Sequence, residues 1–131
     1  MTIRSEIESR LAAYAAAQVP KIPVAYENVG NFTKPTTGCF LEVLMLDSAS
    51  RNRDVGASGV RQTGLFQINC YAPLGAGMSA VEALAEAVIQ LYPVLPKVGT
   101  VSVEAPLSAS TGLPVDGFMC VPVTGRYRVE L

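Results

Sequence analysis

The chain has 131 residues, of which half are apolar and 16% are charged, and its formal net charge is −1. This length is typical of one domain, and the apolar content excludes a chain that is disordered by composition. The balance of 10 basic and 11 acidic residues argues against a protein built mainly to bind nucleic acid or an anionic membrane, and it suits a subunit that associates.

The N-terminal segment predicts an amphipathic helix. Apolar residues recur at helical spacing from Ile3 to Tyr14 and form one stripe. Thr2 is a competent helix N-cap, and Pro20 cannot continue a helix, so we expect the helix to lie between them. The apolar stripe must be buried, most simply against one face of a sheet.

Three strands are predicted before the next helix. A short run at 22–29 contains Pro23, which restricts it to a sheet edge or to the start of a strand. The run Cys39–Leu46 is apolar almost throughout, and residues 63–72 alternate between apolar and polar. These two strands flank the polar residues 47–62, so we predict an extended β-hairpin with a long tip.

The polar tip, residues 47–62, is called the arm below. Arg51, Arg53 and Arg61 lie around a single acid, Asp54, which gives the arm a local excess of positive charge. A connection of this length without structure of its own is commonly functional or disordered. Two interpretations stay open: a solvated loop, and a contact arm that orders on a partner or faces nucleic acid.

A second helix is predicted after a glycine-containing corner. Gly75 and Gly77 provide a tight turn out of the preceding strand. Ser79 and Glu82 form the S-x-x-E pattern of a capping box, and Pro93 ends the helix. The apolar stripe of this helix comprises Val81, Leu84, Val88 and Leu91.

The remaining sequence predicts two strands, at 100–106 and 118–131, with a loop at 107–117 between them. Gly125 is expected to mark a bulge, and Pro122 an edge position or a bend. The element order is therefore α-β-β-β-α-β-β. This order predicts an α+β fold with a mostly antiparallel sheet of about five strands and two helices packed on it.

The corner also fits the loose G-x-G-x-x-[G/A] form of a dinucleotide-binding fingerprint, through Gly75, Gly77 and Ala80. That fingerprint follows a strand buried on both faces, whereas the strand here has a polar face. Ser79, as a cap, would also use the amide donors that a phosphate needs. We therefore favour a structural corner, and a small ligand- or nucleotide-binding domain that uses Gly75–Ser79 is the alternative.

No combination of residues points to a catalytic, cofactor or metal site. The chain has no histidine, which removes the usual catalytic triads and the common zinc ligand sets. Cys39, Cys70 and Cys120 lie far apart in apolar runs, where small buried side chains are expected. Glu42, an acid in an apolar strand, is expected to face solvent rather than to act as a functional acid. We predict that the protein is not an enzyme and binds no cofactor or metal.

The sequence offers no segment for membrane insertion or export. Its longest apolar runs, such as FLEVLML, are far too short to cross a bilayer. The polar start, MTIRSEIESR, is not followed by the apolar segment of a signal peptide. We therefore expect a cytoplasmic protein.

The ordered set of features resembles the tail terminator, or tail completion, proteins of long-tailed phages and prophages. The resemblance rests on IPVAYENVGNFTKPTTGCFLEVLML, the Gly/Arg-rich tip, and then GLFQINCYAPLGAGMSAVEALAEAVIQLYP. In that family a strand ends in a P-x-G-x-G-like corner before the second helix. The resemblance covers nearly the whole chain, so residues 1–131 are expected to form a single tail-terminator-like domain.

The resemblance implies a subunit that assembles into a six-membered ring on the last ring of the tail tube. There it stops polymerisation and provides the surface on which the filled head docks. The implied partners are further copies of the chain, the tail tube protein and the head–tail connector protein. Passive contact with DNA in the channel is also implied. No contact with a membrane is implied.

The implied location is the host cytoplasm during assembly and the virion tail afterwards. The arm, with Arg51, Arg53, Asp54 and Arg61, becomes a candidate surface for partner or channel contact. A cytoplasmic adaptor without phage origin is a further alternative, and gene neighbourhood would separate the two.

Overall fold

The computed structural model describes residues 3–18, 21–27, 30, 32–35, 38–47, 51–52, 60–75, 77–94, 102–103 and 105–130. Within them the helices are α1 (Ile3–Ala17) and α2 (Ser79–Leu91). The strands are β1 (Val24–Ala25), β2 (Phe40–Asp47), β3 (Arg51–Asn52), β4 (Val60–Pro73), β5 (Ser102–Val103), β6 (Ser108–Ala109), β7 (Leu113–Val115) and β8 (Phe118–Glu130).

The strands form one mixed sheet with the order β1-β2-β4-β8-β5. β3 pairs with β4, and β6 and β7 pair with β8. The described pairings are antiparallel except that of β1 with β2, which is parallel. The predicted α+β class is confirmed, although the sheet has more and shorter segments than expected. The run that contains Pro23 lies at the sheet edge, as predicted.

Both helices pack on the same face of the sheet, which we call the helix face. α1 and α2 occupy the predicted segments, although the expected limits of α1, Thr2 and Pro20, lie outside the described residues. The hydroxyl of Tyr92, just after α2, donates a 2.7 Å hydrogen bond to the C=O of Ile7 in α1. Neither helix of the described residues is long and apolar enough to cross a membrane.

The main core lies between the helices and alternate residues of the three long strands. Fully buried side chains from the two helices meet those of the strands in one cluster. The strand residues in it alternate along each chain, which places their side chains on one face. Members of this cluster are Ile7, Leu11, Val81, Val88, Leu41, Val43, Phe66, Ile68, Cys70, Val123 and Tyr127.

The bulge expected at Gly125 is absent from the β4–β8 ladder. The register runs without interruption from Arg61↔Glu130 to Pro73↔Phe118. Gly125 lies opposite Phe66, and a methyl group added at Gly125 would lie 2.7 Å from Cζ of the Phe66 ring. The glycine therefore permits the close approach of a ring from the neighbouring strand rather than an extra residue.

Pro122 does not lie at a sheet edge, because β8 has neighbours on both sides. The Ser110 N–H donates a 2.8 Å hydrogen bond to the C=O of Pro122. In an antiparallel ladder, the N–H and C=O of one residue face the same neighbour. The N–H that proline lacks therefore falls on the side of the short outer strands, and the β4–β8 ladder is left intact.

The segment expected to be a loop, 107–117, contains β6 and β7. β7 and β8 form a hairpin through Val115↔Phe118, with Asp116 and Gly117 as its two turn residues. Both turn residues have positive φ, 46° and 83°. This is the geometry that an Asp-Gly turn favours between antiparallel strands.

Glu27 connects α1 to the outer side of β2. Its Oε1 accepts a 2.7 Å hydrogen bond from the Met45 N–H and a 2.9 Å hydrogen bond from the Arg4 guanidinium. The bond from Met45, followed by that from Arg4, holds the pKa of the Glu27 carboxyl below its ordinary value. The ionised form of Glu27 therefore stabilises the folded chain.

We expect Glu27→Gln to lower the free energy of unfolding at pH 7 by less than about 1 kcal/mol, because a partly exposed pair is screened by solvent. Because the pKa of Glu27 is lower in the folded chain than in the unfolded chain, the ionised carboxylate stabilises the fold at pH values above the unfolded pKa, near 4.5. This stabilisation is lost as the pH falls through the folded pKa. The difference between wild type and variant should therefore shrink in acid, as measured by urea unfolding at several pH values. Glu86→Gln, on the exposed side of α2, is the control; an equal Glu27→Gln deficit at every pH would contradict this prediction.

Candidate functional site

The face of the sheet opposite the helices, called the open face below, carries polar side chains. Glu42 Oε1 accepts hydrogen bonds from Asn69 Nδ2 at 2.9 Å and from the Tyr71 hydroxyl at 2.8 Å. Gln67 Nε2 donates to Asn69 Oδ1 at 2.7 Å. Glu42 was expected to face solvent, and it lies half-buried on this face as the acceptor of a local network.

The network fixes side chains rather than supplying a reactive group. Burial, and then the hydrogen bond to Glu42, raise the pKa of the Tyr71 phenol above its ordinary value of 10. The phenol is therefore protonated at neutral pH and acts as a donor. Two donors converge on one carboxylate oxygen, which is a favourable charge-assisted arrangement for holding three strand residues in place.

One end of the open face is covered by a small aromatic cluster. Phe40 and Tyr71 stack with ring centroids 4.3 Å apart, and Phe118 meets Phe40 edge-on at 4.9 Å. Phe32 packs against Phe40 from the loop before β2, at 5.6 Å. The cluster lies where β4 ends, next to the corner. Aromatic rings therefore cover the open face at this end of the sheet.

The three cysteines are packed as apolar side chains. Cys70 and Cys120 are buried, and Cys39 is partly buried, as the sequence predicted. Burial, the largest cause in each case, raises the pKa of all three thiols, and that of Cys70 to about 12. The thiols are therefore neutral at physiological pH, and the thiolate is the nucleophilic form.

The corner between β4 and α2 depends on two glycines. Gly75 and Gly77 have φ values of 87° and 82°, in the left-handed region that favours glycine. The Leu74 N–H donates a 3.1 Å hydrogen bond to the C=O of Gly117, which joins the corner to the β7–β8 turn. The corner and that turn thus form one end of the molecule.

The predicted capping box of Ser79 and Glu82 is wrong. The N-cap of α2 is Met78, which is already near helical geometry at φ −93° and ψ −18°, and no side chain caps the helix. The C=O of Met78 accepts the Glu82 N–H at 2.9 Å. The turn at Gly77 therefore starts the helix one residue earlier than expected and leaves Ser79 inside its first turn.

The surroundings of the corner differ from those of a dinucleotide fingerprint. β4, which leads into Gly75 and Gly77, lies between β2 and β8, and both pairings are antiparallel. The fingerprint belongs to a parallel β-α-β unit, in which the sheet on either side is parallel. Among the described strands, the corner has no such context.

Beside the corner lies a groove of about 500 Å³, called the corner groove. α2 forms one wall and residues 109–112 form the other. Its lining includes apolar Met78, Ala85, Ile89 and Val121, together with the exposed acids Glu82 and Glu86. The sequence pattern does not indicate this groove, because it predicts residues 109–112 as part of a loop without a place in the sheet.

Large apolar side chains are exposed at the same end of the molecule. Leu74, Met78 and Leu113 are 48%, 38% and 47% exposed. Met78 lies next to Gly112, where an added methyl group would approach its Cε to 3.1 Å. Grouped exposed apolar side chains of this size are typical of a contact surface for another protein.

The arm begins at the opposite end of β4. Arg51 pairs with Arg61, and Asn52 with Val60, so part of the expected loop is a strand ladder. Arg61 also lies opposite Glu130 of β8 in the register. Arg53 and Asp54 lie outside the described residues. The structure therefore separates the basic arm from the acidic and apolar corner groove by most of the length of β4.

The fold and its surfaces define a small α+β protein with one mixed sheet, two helices on one face and distinct surfaces at its two ends. Residues 2–127 match the family described as phage tail terminator protein, and the chain belongs to this family. It is therefore a structural protein of a phage tail. The family resemblance expected from the sequence is confirmed.

Solved structures that share the fold include two that cover nearly the whole chain. One is 32% identical in sequence, with a TM-score of 0.79 over 98% of this chain and 94% of the other. A chain in the virion of a native gene transfer agent particle is 18% identical, with a TM-score of 0.59 over 98% and 95% of the two chains. Among curated proteins there is no significant match.

Proposed function

We propose that this protein caps the phage tail tube, stops its polymerisation and forms the surface to which the head joins. The observation that carries this proposal is the match of residues 2–127 to the tail terminator family. The half-buried Glu42, bound by two donors, and the neutral thiols support a role without catalysis. The protein acts as one domain over residues 1–131, in the host cytoplasm during assembly and then in the virion tail.

The capping form is a six-membered ring of identical chains on the last ring of the tube. In a ring each subunit uses one surface to meet a different surface of the next. The subunit has two unlike ends, with the basic arm at one and the exposed apolar residues at the other. A solved chain of the same fold belongs to a virion particle, which fits a role in assembly.

The ring has partners above and below it. The tail tube protein lies on one side and the head–tail connector protein on the other, with DNA passing through the channel. The arm, with Arg51, Arg53, Asp54 and Arg61, is the candidate contact segment among these neighbours. The glycine corner, with Gly75, Gly77, Ser79 and Glu82, is structural and positions the exposed residues beside it.

Deleting the gene from its phage or prophage tests the capping function. We expect tails of uncontrolled length and heads that stay unjoined, because nothing ends tube growth or offers the joining surface. Negative-stain electron microscopy of induced lysates measures both, and a plasmid copy of the wild-type gene should restore them. Tails of normal length with joined heads in the deletion strain would overturn the proposal.

A further inference from the structure

The arm of one copy and the corner groove of another are complementary, and we propose that they form the contact between neighbouring copies in the ring. The inference rests on the proposed ring and names its subunit interface. Each copy inserts its own arm into the groove of the next copy and accepts the arm of the previous one.

The corner groove has an apolar floor and an acidic rim. Ala85 and Val121 line it between α2 and the strand β8, and Met78 lies partly exposed at its corner end. Glu82 and Glu86 stand four residues apart on the exposed side of α2, which places both along one rim. A segment that is basic, with small side chains between its charges, fits this surface.

The arm has that composition. Arg51, Arg53 and Arg61 outnumber its two acids, Asp47 and Asp54, and residues 55–59 are the small sequence VGASG. Small side chains can enter a groove of about 500 Å³ while the arginines meet its rim. Opposite charges across an interface select the partner and fix its register.

A chain cannot place its own arm in its own groove. Val121, which lines the groove, pairs with Cys70, whereas the arm ladder pairs Arg51 with Arg61. At about 3.4 Å per residue, Arg61 and Cys70 on β4 lie roughly 30 Å apart. The connection between the two ends of that ladder, residues 53–59, is short enough that even a fully extended chain would reach at most roughly 12 Å beyond it. An arm that enters the groove must therefore belong to a second copy.

This contact joins unlike surfaces of identical chains. Such a contact leaves one arm and one groove unused in every open chain of copies, and closure into a ring fills both. The exposed apolar side chains at the corner, Leu74, Met78 and Leu113, would then be next to a neighbour rather than in water.

Charge reversal with rescue tests the contact in the deletion strain. We expect Glu82→Arg/Glu86→Arg to abolish restoration of tail completion, and Arg51→Glu/Arg53→Glu to do the same. The chain that carries all four changes should restore completion, because the charges again match between neighbours. Arg10→Glu/Lys21→Glu, at exposed positions on and just after α1, is the matched reversal outside the contact and should complement like wild type.

Cross-linking then identifies the occupant of the groove. Two differently tagged chains are expressed together, one with Thr111→Cys beside the groove and the other with Ala57→Cys in the arm, both with Cys39→Ser. Assembled tails should yield a disulfide-linked dimer under oxidation, whereas Ser9→Cys on the exposed side of α1 should not replace Thr111→Cys. Absence of the dimer from complete tails would overturn the arm-in-groove contact.

The outcomes separate the inference from the function on which it rests. If the wild-type gene fails to restore the deletion strain, the capping function falls. If wild type restores it and the groove variant does so equally well, the capping function stands and the arm-in-groove contact falls. The contact also falls if the groove variant fails but the four-change chain does not recover, because the arm would then not be the partner of the acidic rim.

Discussion

Gly125→Ala is expected to destabilise the fold by about 1–3 kcal/mol, the usual cost of forcing extra volume into a packed core. Gly125 lies in the middle of β8 on the helix face, opposite Phe66. The added methyl group would lie 2.7 and 2.8 Å from two carbons of the Phe66 ring and 2.9 Å from Cγ of Leu107. These atoms are buried, so relief requires movement of the core itself.

Urea unfolding followed by circular dichroism measures this loss. Gly30→Ala is the control, because a methyl group there meets nothing within 4 Å, and its effect should stay within about 0.5 kcal/mol. In a Phe66→Leu background the cost of Gly125→Ala should fall, since the ring supplies two of the three close contacts. An unchanged cost in that background would show that the ring is not the obstacle.

Leu11→Ala is expected to cost about 2–5 kcal/mol, the range for removing a buried leucine side chain and leaving a cavity. Leu11 is fully buried where α1 meets the main core. Because domains of this kind are stable by only about 5–15 kcal/mol, the loss is a large fraction of the total. A lower urea midpoint with an unchanged slope would show that the variant is less stable while the surface exposed on unfolding stays the same.

Leu74→Ala is the matched control, because the same atoms are removed from a side chain that is 48% exposed. Its effect on stability should stay within about 0.5 kcal/mol. Equal losses for the two variants would mean that α1 is not docked as the structure shows. Leu74 lies at the corner, so this variant also reports whether the exposed apolar surface there is needed for assembly.

The two helices were predictable because their pattern is local. The spacing of Val81, Leu84 and Val88 alone placed them on one buried face, and all three are buried in the structure. The start of α2 was missed by one residue. That start depends on the positive φ of Gly77, which the S-x-x-E pattern of Ser79 and Glu82 does not report.

The outer part of the sheet was not predictable from local pattern. β6 has two residues and β7 three, and both are stabilised by pairing with β8 rather than by their own composition. One signal was available, since Asp116-Gly117 favours a two-residue hairpin turn. The role of Gly125 could not be found this way, because it depends on a ring in another strand.

The arm and the corner groove also differ in whether the sequence could predict them. The basic character of the arm was visible in Arg51, Arg53 and Arg61. The corner groove was not visible, because its walls come from α2 and residues 109–112, which are distant in sequence. The family was recognisable because the order of strands, corner and helix is itself a property of the sequence.

The contact of Glu27 with β2 limits how this sheet can grow. An outer strand normally presents free N–H groups on which a strand from another chain can align, a route to aggregation. Here the Leu41 N–H donates to the C=O of Pro23, and the Met45 N–H donates to the Glu27 carboxylate. A foreign strand would have to displace both acceptors. The outer side of β2 is thereby less available for pairing with a strand of a neighbouring copy.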